Sequence, residues 1–174
     1  MHLNNQIKNL TRILKRKKIK VAVAESCTGG LISYNLTKTP GASKYFMAGI
    51  VSYSNKSKIE LLKVRKKTIT KYGAVSSETC KEMCKNLHKI TKSNITVSVT
   101  GIAGPDGGTK KKPIGLVFIG VCSKKKLEII KLNFKNFIYN IKFLKFNHLL
   151  MNYYCSILKV NNSLNIIFNF FMDM

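Results

Sequence analysis

The stretch IKVAVAESCTGGLISYNLTK, residues 19–38, decides the fold of this chain. Apolar residues alternate at Ile19, Val21 and Val23, which predicts a β-strand. Serine, threonine and glycine crowd the next segment, and LISYNLTK then predicts a helix. A strand that turns sharply into a helix is typical of α/β proteins, which bind ligands at the carboxyl ends of their strands. The sequence therefore predicts an α/β fold with a candidate site at residues 25–30.

A second strand and helix follow the same plan. The segment FMAGIVSYS, residues 46–54, predicts a strand, and SKIELLKV predicts a helix that Asn55 or Ser57 caps. Tyr53 then lies at the end of the strand, and Lys58 lies in the first turn after it. Both residues are therefore expected beside a strand end, where ligand sites form in such folds.

The rest of the chain completes the predicted domain. Alternating apolar residues at 95–99 predict a third strand, and four glycines and a proline in residues 100–108 predict a second glycine-rich turn. We expect one three-layer-like α/β domain over residues 1–160, with a mixed β-sheet flanked by helices. A divergent apolar tail, for which disorder is expected, follows at residues 161–174. The other predicted elements are helices over 3–17, 77–90 and 137–160 and a hairpin of strands over 114–121 and 127–134.

The composition is strongly basic. The 174 residues include 31 lysines and arginines against seven acids, which gives a formal net charge of +24. Clustered cations can bind polyanions such as nucleic acids. Arginine, whose planar fork suits phosphate, occurs only at Arg12, Arg16 and Arg65. We therefore interpret the charge as compositional drift and expect no nucleic-acid partner, although the charge can attract an anionic substrate.

The cysteines and the hydropathy indicate a cytoplasmic protein. The five cysteines are odd in number and have no zinc-binding spacing, so we expect reduced thiols. Cys80 and Cys84 are four apart on a predicted helix, which favours packing in the core. The N-terminal segment lacks the apolar centre of a signal peptide, and residues 164–174 are too short to span a membrane. We therefore expect no membrane association.

Ser26 is the first candidate catalytic residue. A hydroxyl at a strand end, beside turn N–H groups that can stabilise an oxyanion, suits a nucleophile. A helix cap or a phosphate cradle explains the same spacing, and from spacing alone we favour the cap. None of the three histidines lies in a predicted strand-end loop, which disfavours a Ser-His-Asp triad. A lysine can serve as the base instead where burial or a neighbouring charge lowers its pKa. From the pattern alone, Tyr53 and Lys58 are better explained as ordinary amphipathic and solvated residues.

Two of the seven acids, Glu25 and Asp106, lie in the glycine-rich turns. On a chain so rich in lysine, carboxylates at these places suggest local roles, such as orienting a hydroxyl or holding a loop. Asp106 is also explained as a turn residue after Pro105.

Four motifs, in this order along the chain, resemble one known family. They are AESCTGG at 24–30, GIVSYSNKSK at 49–58, GAVS at 73–76 and VTGIAGPDGG at 99–108. Together they resemble the CinA C-terminal domain family, the nicotinamide-mononucleotide deamidases of PncC type, over about residues 4–135. The resemblance implies an amidohydrolase that converts nicotinamide mononucleotide to nicotinate mononucleotide and ammonia, with no cofactor and no metal.

The resemblance also implies roles for individual residues. Ser26 looks like the nucleophile, Lys58 like its base, and Tyr53 like a partner that positions or relays the proton. With the resemblance, these roles are preferred to the explanations from the pattern alone, in which Ser26 caps a helix and Tyr53 and Lys58 are ordinary surface residues. The substrate-binding residues that the resemblance implies are Glu25, Thr28, Gly29, Gly30, Thr100, Gly101, Gly104 and Asp106.

The chain departs from the family after Phe134. Relatives carry a Gly-Asp-Arg segment and further arginines there, which suit a substrate phosphate, whereas KNFIYNIKFLKF has no arginine. Lys142 is the candidate phosphate-binding residue in their place. The departure keeps open the alternative of a decayed member that binds a nucleotide or a protein without catalysis, and the charge of +24 keeps open that of a basic nucleic-acid-binding protein. Relatives also imply a homo-oligomer, for which a dimer is the commonest symmetry.

Overall fold

A five-stranded mixed sheet forms the centre of the protein in the computed structural model, which describes residues 3–133. The strands are β1 (Val21–Glu25), β2 (Phe46–Val51), β3 (Ile95–Gly101), β4 (Leu116–Ser123) and β5 (Leu127–Asn133). They lie in the order β2-β1-β3-β4-β5. Strand β1 pairs in parallel with β2 and β3, whereas β4 is antiparallel to β3 and to β5. The predicted mixed sheet is therefore confirmed.

The topology gathers the predicted site at one edge of the sheet. Because β1, β2 and β3 are parallel, their carboxyl ends meet there, at Glu25, Val51 and Gly101. Strand β5 runs in the same direction as β3, and the pairing of Asn133 with Leu116 places its last residue at this edge too. Ligand sites in open α/β sheets form at such carboxyl ends.

Helices cover both faces of the sheet, which confirms the three-layer architecture. One face carries an apolar core that includes Ile7 and Leu10 from the first helix and Ile32 from the second. The opposite face packs against Leu62 and Met83. The helices are α1 (Leu3–Arg16), α2 (Leu31–Thr37), α3 (Asn55–Glu60), α4 (Lys66–Tyr72) and α5 (Ser77–Thr91), with a 3-10 helix at Ala42–Lys44.

Strand β1 is the central element of this arrangement. All five of its residues are buried, because helices pack on both faces of the sheet. Val21 and Val23 face the core under α1 and α2, whereas the smaller Ala22 and Ala24 face α5. The alternation that predicts the strand is thus one of large and small apolar residues, and Glu25 is the buried exception at its end.

The segment between β2 and α5 differs most from the prediction. Strand β2 ends at Val51, earlier than predicted, and a fourth helix follows α3 where no separate helix was expected. The prediction that Asn55 or Ser57 caps α3 was wrong. Ser54 is the cap: its hydroxyl accepts from the Ser57 N–H, and the Ser57 hydroxyl accepts in turn from the Ser54 N–H. This reciprocal capping box satisfies two N–H groups that the helix cannot satisfy itself.

The other predictions for the described residues hold. The N-terminal helix, the helix that begins at Ser77 and the β4–β5 hairpin are confirmed, and Cys80 and Cys84 are buried in the core. Within residues 3–133, no helix has the length and apolar character that crossing a bilayer requires. The predicted helix over 137–160, the domain boundary at 160 and the tail over 161–174 lie outside the described residues.

Candidate active site

A cavity of about 250 Å³ opens at the edge where the three parallel strands end. Four segments line it: the turn after β1, the segment between β2 and α3 together with α3, the turn before α5, and the glycine-rich loop after β3. All three of the implied catalytic residues meet in this cavity. They are Ser26, Tyr53 and Lys58.

Ser26 and Lys58 are in direct contact. Lys58 Nζ lies 2.9 Å from Ser26 Oγ, although the two residues are 32 positions apart in the chain. The same nitrogen donates to the backbone oxygens of Ser52, at 2.7 Å, and of Tyr53, at 3.2 Å. The side chain thus has three acceptors, which match the three N–H bonds of an ammonium group.

Burial distinguishes Lys58 from the other described lysines. Its exposed fraction is 1%, and it is the only buried lysine among residues 3–133. Burial lowers the pKa of the Lys58 ammonium below its ordinary value, and the electrostatic interaction with Cys27 opposes this shift. None of the salt bridges found in the described part of the chain involves Lys58. Burial therefore shifts the equilibrium of Lys58 toward the neutral amine, the form that can accept a proton.

Tyr53 contributes its main chain to this cluster. Its carbonyl accepts a hydrogen bond from Lys58, whereas its hydroxyl makes no hydrogen bond to any other residue in the range 3–133. The side chain is 74% exposed and lines the cavity. The geometry therefore supports a positioning role for the Tyr53 backbone, and the proton relay through its hydroxyl stays a prediction.

Glu25 lies beside the cavity, with its carboxylate turned to α2. The carboxylate accepts hydrogen bonds from the N–H groups of Gly30, Ile32 and Ser33 and from the Ser33 hydroxyl. Glu25 is fully buried and does not line the cavity. Substrate binding by Glu25, which the resemblance implies, therefore has no support in this geometry.

The turn after β1 places Ser26 but contributes few cavity walls. Gly29 and Gly30 have positive φ angles of 58° and 96°, which glycine adopts without strain. Neither glycine lines the cavity, and nor does Thr28, whose hydroxyl oxygen is buried without a hydrogen bond among the described residues. Their implied contacts with substrate remain predictions.

The glycine-rich loop after β3 supplies the opposite wall. Thr100, Gly101, Gly104 and Asp106 all line the cavity, as the resemblance implies for a substrate site. The Thr100 hydroxyl donates to the backbone oxygen of Ala74 at 2.9 Å, which joins this wall to the turn before α5. At Gly101 a Cβ atom would lie 2.7 Å from the Leu116 carbonyl oxygen, so no larger residue fits there.

Sequence reasoning missed several residues of the site. Ser52 holds Lys58 through its carbonyl, and Cys27, Ala74 and Val75 line the cavity. Ser52, Ala74 and Val75 lie inside quoted motifs, so the motifs themselves were the available signal. Ser52 contacts Lys58 through its backbone carbonyl, a group that every residue type has, so the residue type alone does not indicate the contact.

Two further predictions concern ligands. Among residues 3–133, no group of three or more histidine, cysteine or acidic side chains is placed to hold a metal ion. Lys142, the candidate phosphate-binding residue, lies outside the described residues.

Comparison with known proteins places this site in a family. The sequence model of the CinA C-terminal domain matches residues 4–145. A CinA-like protein of Endomicrobium trichonymphae is 54% identical over 123 residues, which cover 71% of this chain and 29% of the relative. The chain thus spans about 30% of the length of such curated relatives.

Solved structures share the fold. The competence/damage inducible protein CihA from Agrobacterium tumefaciens has a TM-score of 0.76 and 30% identity, covering 90% of this chain and 93% of its own. A CinA superfamily protein from Enterobacter cloacae has a TM-score of 0.78 and 25% identity, covering 91% and 93%. The motifs, the architecture and these matches agree, and the chain belongs to the CinA C-terminal domain family.

Proposed function

We propose that this protein is an amidohydrolase that converts nicotinamide mononucleotide to nicotinate mononucleotide and ammonia, using Ser26 as nucleophile and Lys58 as base. The observation that carries the proposal is the 2.9 Å contact between Lys58 Nζ and Ser26 Oγ in the cavity wall. This geometry supports acyl transfer by a serine–lysine pair. The choice of substrate rests on the resemblance of the four motifs to the deamidases.

The acceptors around Lys58 support its role as base. A neutral amine has two N–H bonds and one lone pair. The carbonyls of Ser52 and Tyr53 can only accept hydrogen bonds, so they retain the two N–H bonds when the amine loses its proton. The lone pair is then left facing Ser26, whose hydroxyl becomes the donor. Loss of one proton therefore orients the base toward its nucleophile without any movement of the chain.

The reaction follows from this arrangement. Ser26 Oγ attacks the carboxamide carbon while Lys58 takes the hydroxyl proton, and the carbonyl oxygen becomes an oxyanion. The ammonium of Lys58 then returns that proton to the leaving nitrogen, which departs as ammonia and leaves a Ser26 ester. Neutral Lys58 takes a proton from the water that attacks the ester. Collapse of the second intermediate, with that proton passed from Lys58 to Ser26 Oγ, restores the Ser26 hydroxyl and releases the acid product, which loses its proton to solvent.

The glycine-rich loop is the proposed source of oxyanion and substrate contacts. Within residues 3–133, the backbone N–H groups of Ala103, Gly104, Asp106 and Gly107 donate to no other residue, and all four residues line the cavity. N–H groups that are already in place stabilise developing charge without a reorganisation cost. We assign the substrate phosphate to Lys142 and the exposed ring of Tyr53 to one side of the substrate.

The proposal is tested by release of ammonia from nicotinamide mononucleotide without added metal. We expect turnover by the wild type and none by Ser26→Ala, because alanine has no nucleophilic oxygen. Ser123→Ala is the matched control, since Ser123 ends β4 at the opposite edge of the sheet from the cavity. Equal turnover by Ser26→Ala and wild type would show that another group reacts.

Calorimetry distinguishes the proposed enzyme from the alternative, a protein that binds the nucleotide without catalysis. The absence of arginine from the segment after Phe134 motivates it. Heat of binding with nicotinamide mononucleotide, combined with no ammonia release from the same wild-type preparation, would favour this alternative over the enzyme.

A further inference from the structure

Glu25 is the buried acid nearest in sequence to the proposed nucleophile, and its hydrogen bonds hold the turn that carries Ser26. One carboxylate oxygen accepts from the N–H groups of Gly30 and Ile32, each at 3.1 Å. The other accepts from the Ser33 N–H at 2.8 Å and from the Ser33 hydroxyl at 2.6 Å. These contacts join the end of β1 to the first turn of α2. The Glu25 carboxylate therefore fixes both ends of the loop that carries Ser26.

The main chain of Glu25 is connected to Lys58 as well. The Glu25 carbonyl accepts from the Ser52 N–H at 2.7 Å and from the Ser52 hydroxyl at 3.3 Å. The Ser52 carbonyl in turn accepts from Lys58 Nζ at 2.7 Å. Nucleophile and base are therefore anchored to the same residue, one through the following peptide bond and the other through Ser52.

All the donors around the carboxylate come from the protein. Four hydrogen bonds occupy its two oxygens, and the side chain is fully buried away from the cavity. A substrate group would have to displace one of these donors to reach it. The buried carboxylate also stabilises the N-terminus of α2, where backbone N–H groups have no partner within the helix.

We propose that Glu25 is a positioning residue that sets the distance between Ser26 and Lys58, and that it does not bind substrate. This inference rests on the proposed function for its kinetic readout. The carboxylate fixes the turn of Ser26, and the carbonyl fixes the strand end that holds Lys58. Loss of the carboxylate lets the turn move relative to the base, and displacements of about 1 Å at a reacting centre cost about 100-fold in rate.

Glu25→Gln is the variant that tests this role. The carboxamide keeps the size of the side chain but places an NH₂ group against N–H donors, so part of the network is lost. We expect kcat to fall by about 10–100-fold while KM stays within about threefold. Because a looser site admits water to Lys58, we also expect the rise of kcat with pH to move to higher pH. Glu60→Gln is the control, since that carboxylate is exposed on α3 and, within residues 3–133, forms an ion pair with Lys56 alone.

The outcomes separate the possible roles of Glu25. A raised KM with unchanged kcat would overturn the inference in favour of substrate binding. Unchanged KM, kcat per folded molecule and pH profile, with a lower melting temperature, would overturn it in favour of a purely structural role. Amide hydrogen exchange over residues 26–30 provides a readout without turnover: we expect faster exchange in Glu25→Gln, and unchanged exchange contradicts the inference even if the wild type proves inactive.

A second variant covers the case in which Glu25→Gln does not fold. Ser33→Ala removes only the hydroxyl donor at 2.6 Å and keeps the three backbone donors. We expect kcat to fall by about three- to tenfold, in line with the net contribution of one typical hydrogen bond, and the pH profile to move in the same direction. A folded Ser33→Ala protein with wild-type kcat and pH profile would overturn the inference. If wild-type protein releases no ammonia, the proposed function fails separately.

Discussion

Replacing Lys58 with arginine places a permanent cation in the cavity and removes the side chain that can act as a base. The guanidinium does not lose its proton in proteins, so it can donate to the carbonyls of Ser52 and Tyr53 but cannot accept the proton of Ser26. A positioned general base contributes about 10²–10⁴-fold to a rate, which corresponds to about 3–5 kcal/mol of barrier. We expect Lys58→Arg to lose catalysis of this order.

The proposed role of Lys58 also predicts how kcat/KM changes with pH. In the proposed mechanism the active form carries neutral Lys58, so we expect kcat/KM to rise with pH as the amine loses its proton. Burial lowers the pKa of Lys58, opposed by Cys27, which moves this rise below the pH at which an exposed lysine would produce it. We expect Lys58→Arg to lose this rise, because the guanidinium keeps its proton throughout the pH range of the assay.

The assay is continuous measurement of ammonia release across a pH series, with thermal unfolding to verify that each variant is folded. Lys56→Arg is the matched control, because Lys56 lies on the same short helix with a side chain 81% exposed. We expect the control to keep the activity and the pH profile of the wild type. Activity of folded Lys58→Arg within about tenfold of the wild type, with the same dependence on pH, would refute Lys58 as the base.

Two further predictions concern side chains of α5: the thiols of Cys80 and Cys84, and the carboxylate of Glu82. Burial raises the pKa of Cys80 to about 12 and raises that of Cys84 well above its ordinary value. After treatment with iodoacetamide at mildly alkaline pH, peptide mass spectrometry should find both thiols unmodified in folded protein and modified after unfolding. Glu82 accepts hydrogen bonds from Arg65 and Thr68; burial raises its pKa, but these bonds outweigh burial and the net pKa is lowered. Glu82→Gln should therefore reduce the free energy of unfolding by about 1–3 kcal/mol near neutral pH. The difference from the wild type should shrink as the pH falls below about 4, because the wild-type carboxylate then takes up a proton. Denaturant titration at both pH values measures this, and a difference independent of pH would contradict it.

The order of strands and helices was predictable because local patterns report it directly. The alternation before Ser26 and the glycine-rich turns identify strand ends, and parallel strands bring those ends together. Helix α4 was missed because KKTITKY has little apolar periodicity, and only Thr68 and Ile69 of its seven residues are buried. The cap at Ser54 was missed because five polar residues in succession, Ser54 to Lys58, make the first helical residue ambiguous.

The site was less predictable than the fold. Composition cannot select Lys58, because the burial that lowers its pKa depends on residues far away in the sequence. Resemblance to the family identified it, and the contact with Ser26 gives that identification a physical basis. Glu25 illustrates the opposite case: its place in the motif suggested contact with substrate, whereas the folded chain supplies all its hydrogen-bond donors.

The burial of Lys58 has a practical consequence for handling this protein. Every other lysine in the described part of the chain is exposed or half-buried, so reagents that couple to amines meet many accessible groups before they reach the one in the cavity. Immobilisation on an amine-reactive support would therefore join the protein through its surface. The amine that the proposed reaction needs would keep its hydrogen bonds to Ser26, Ser52 and Tyr53.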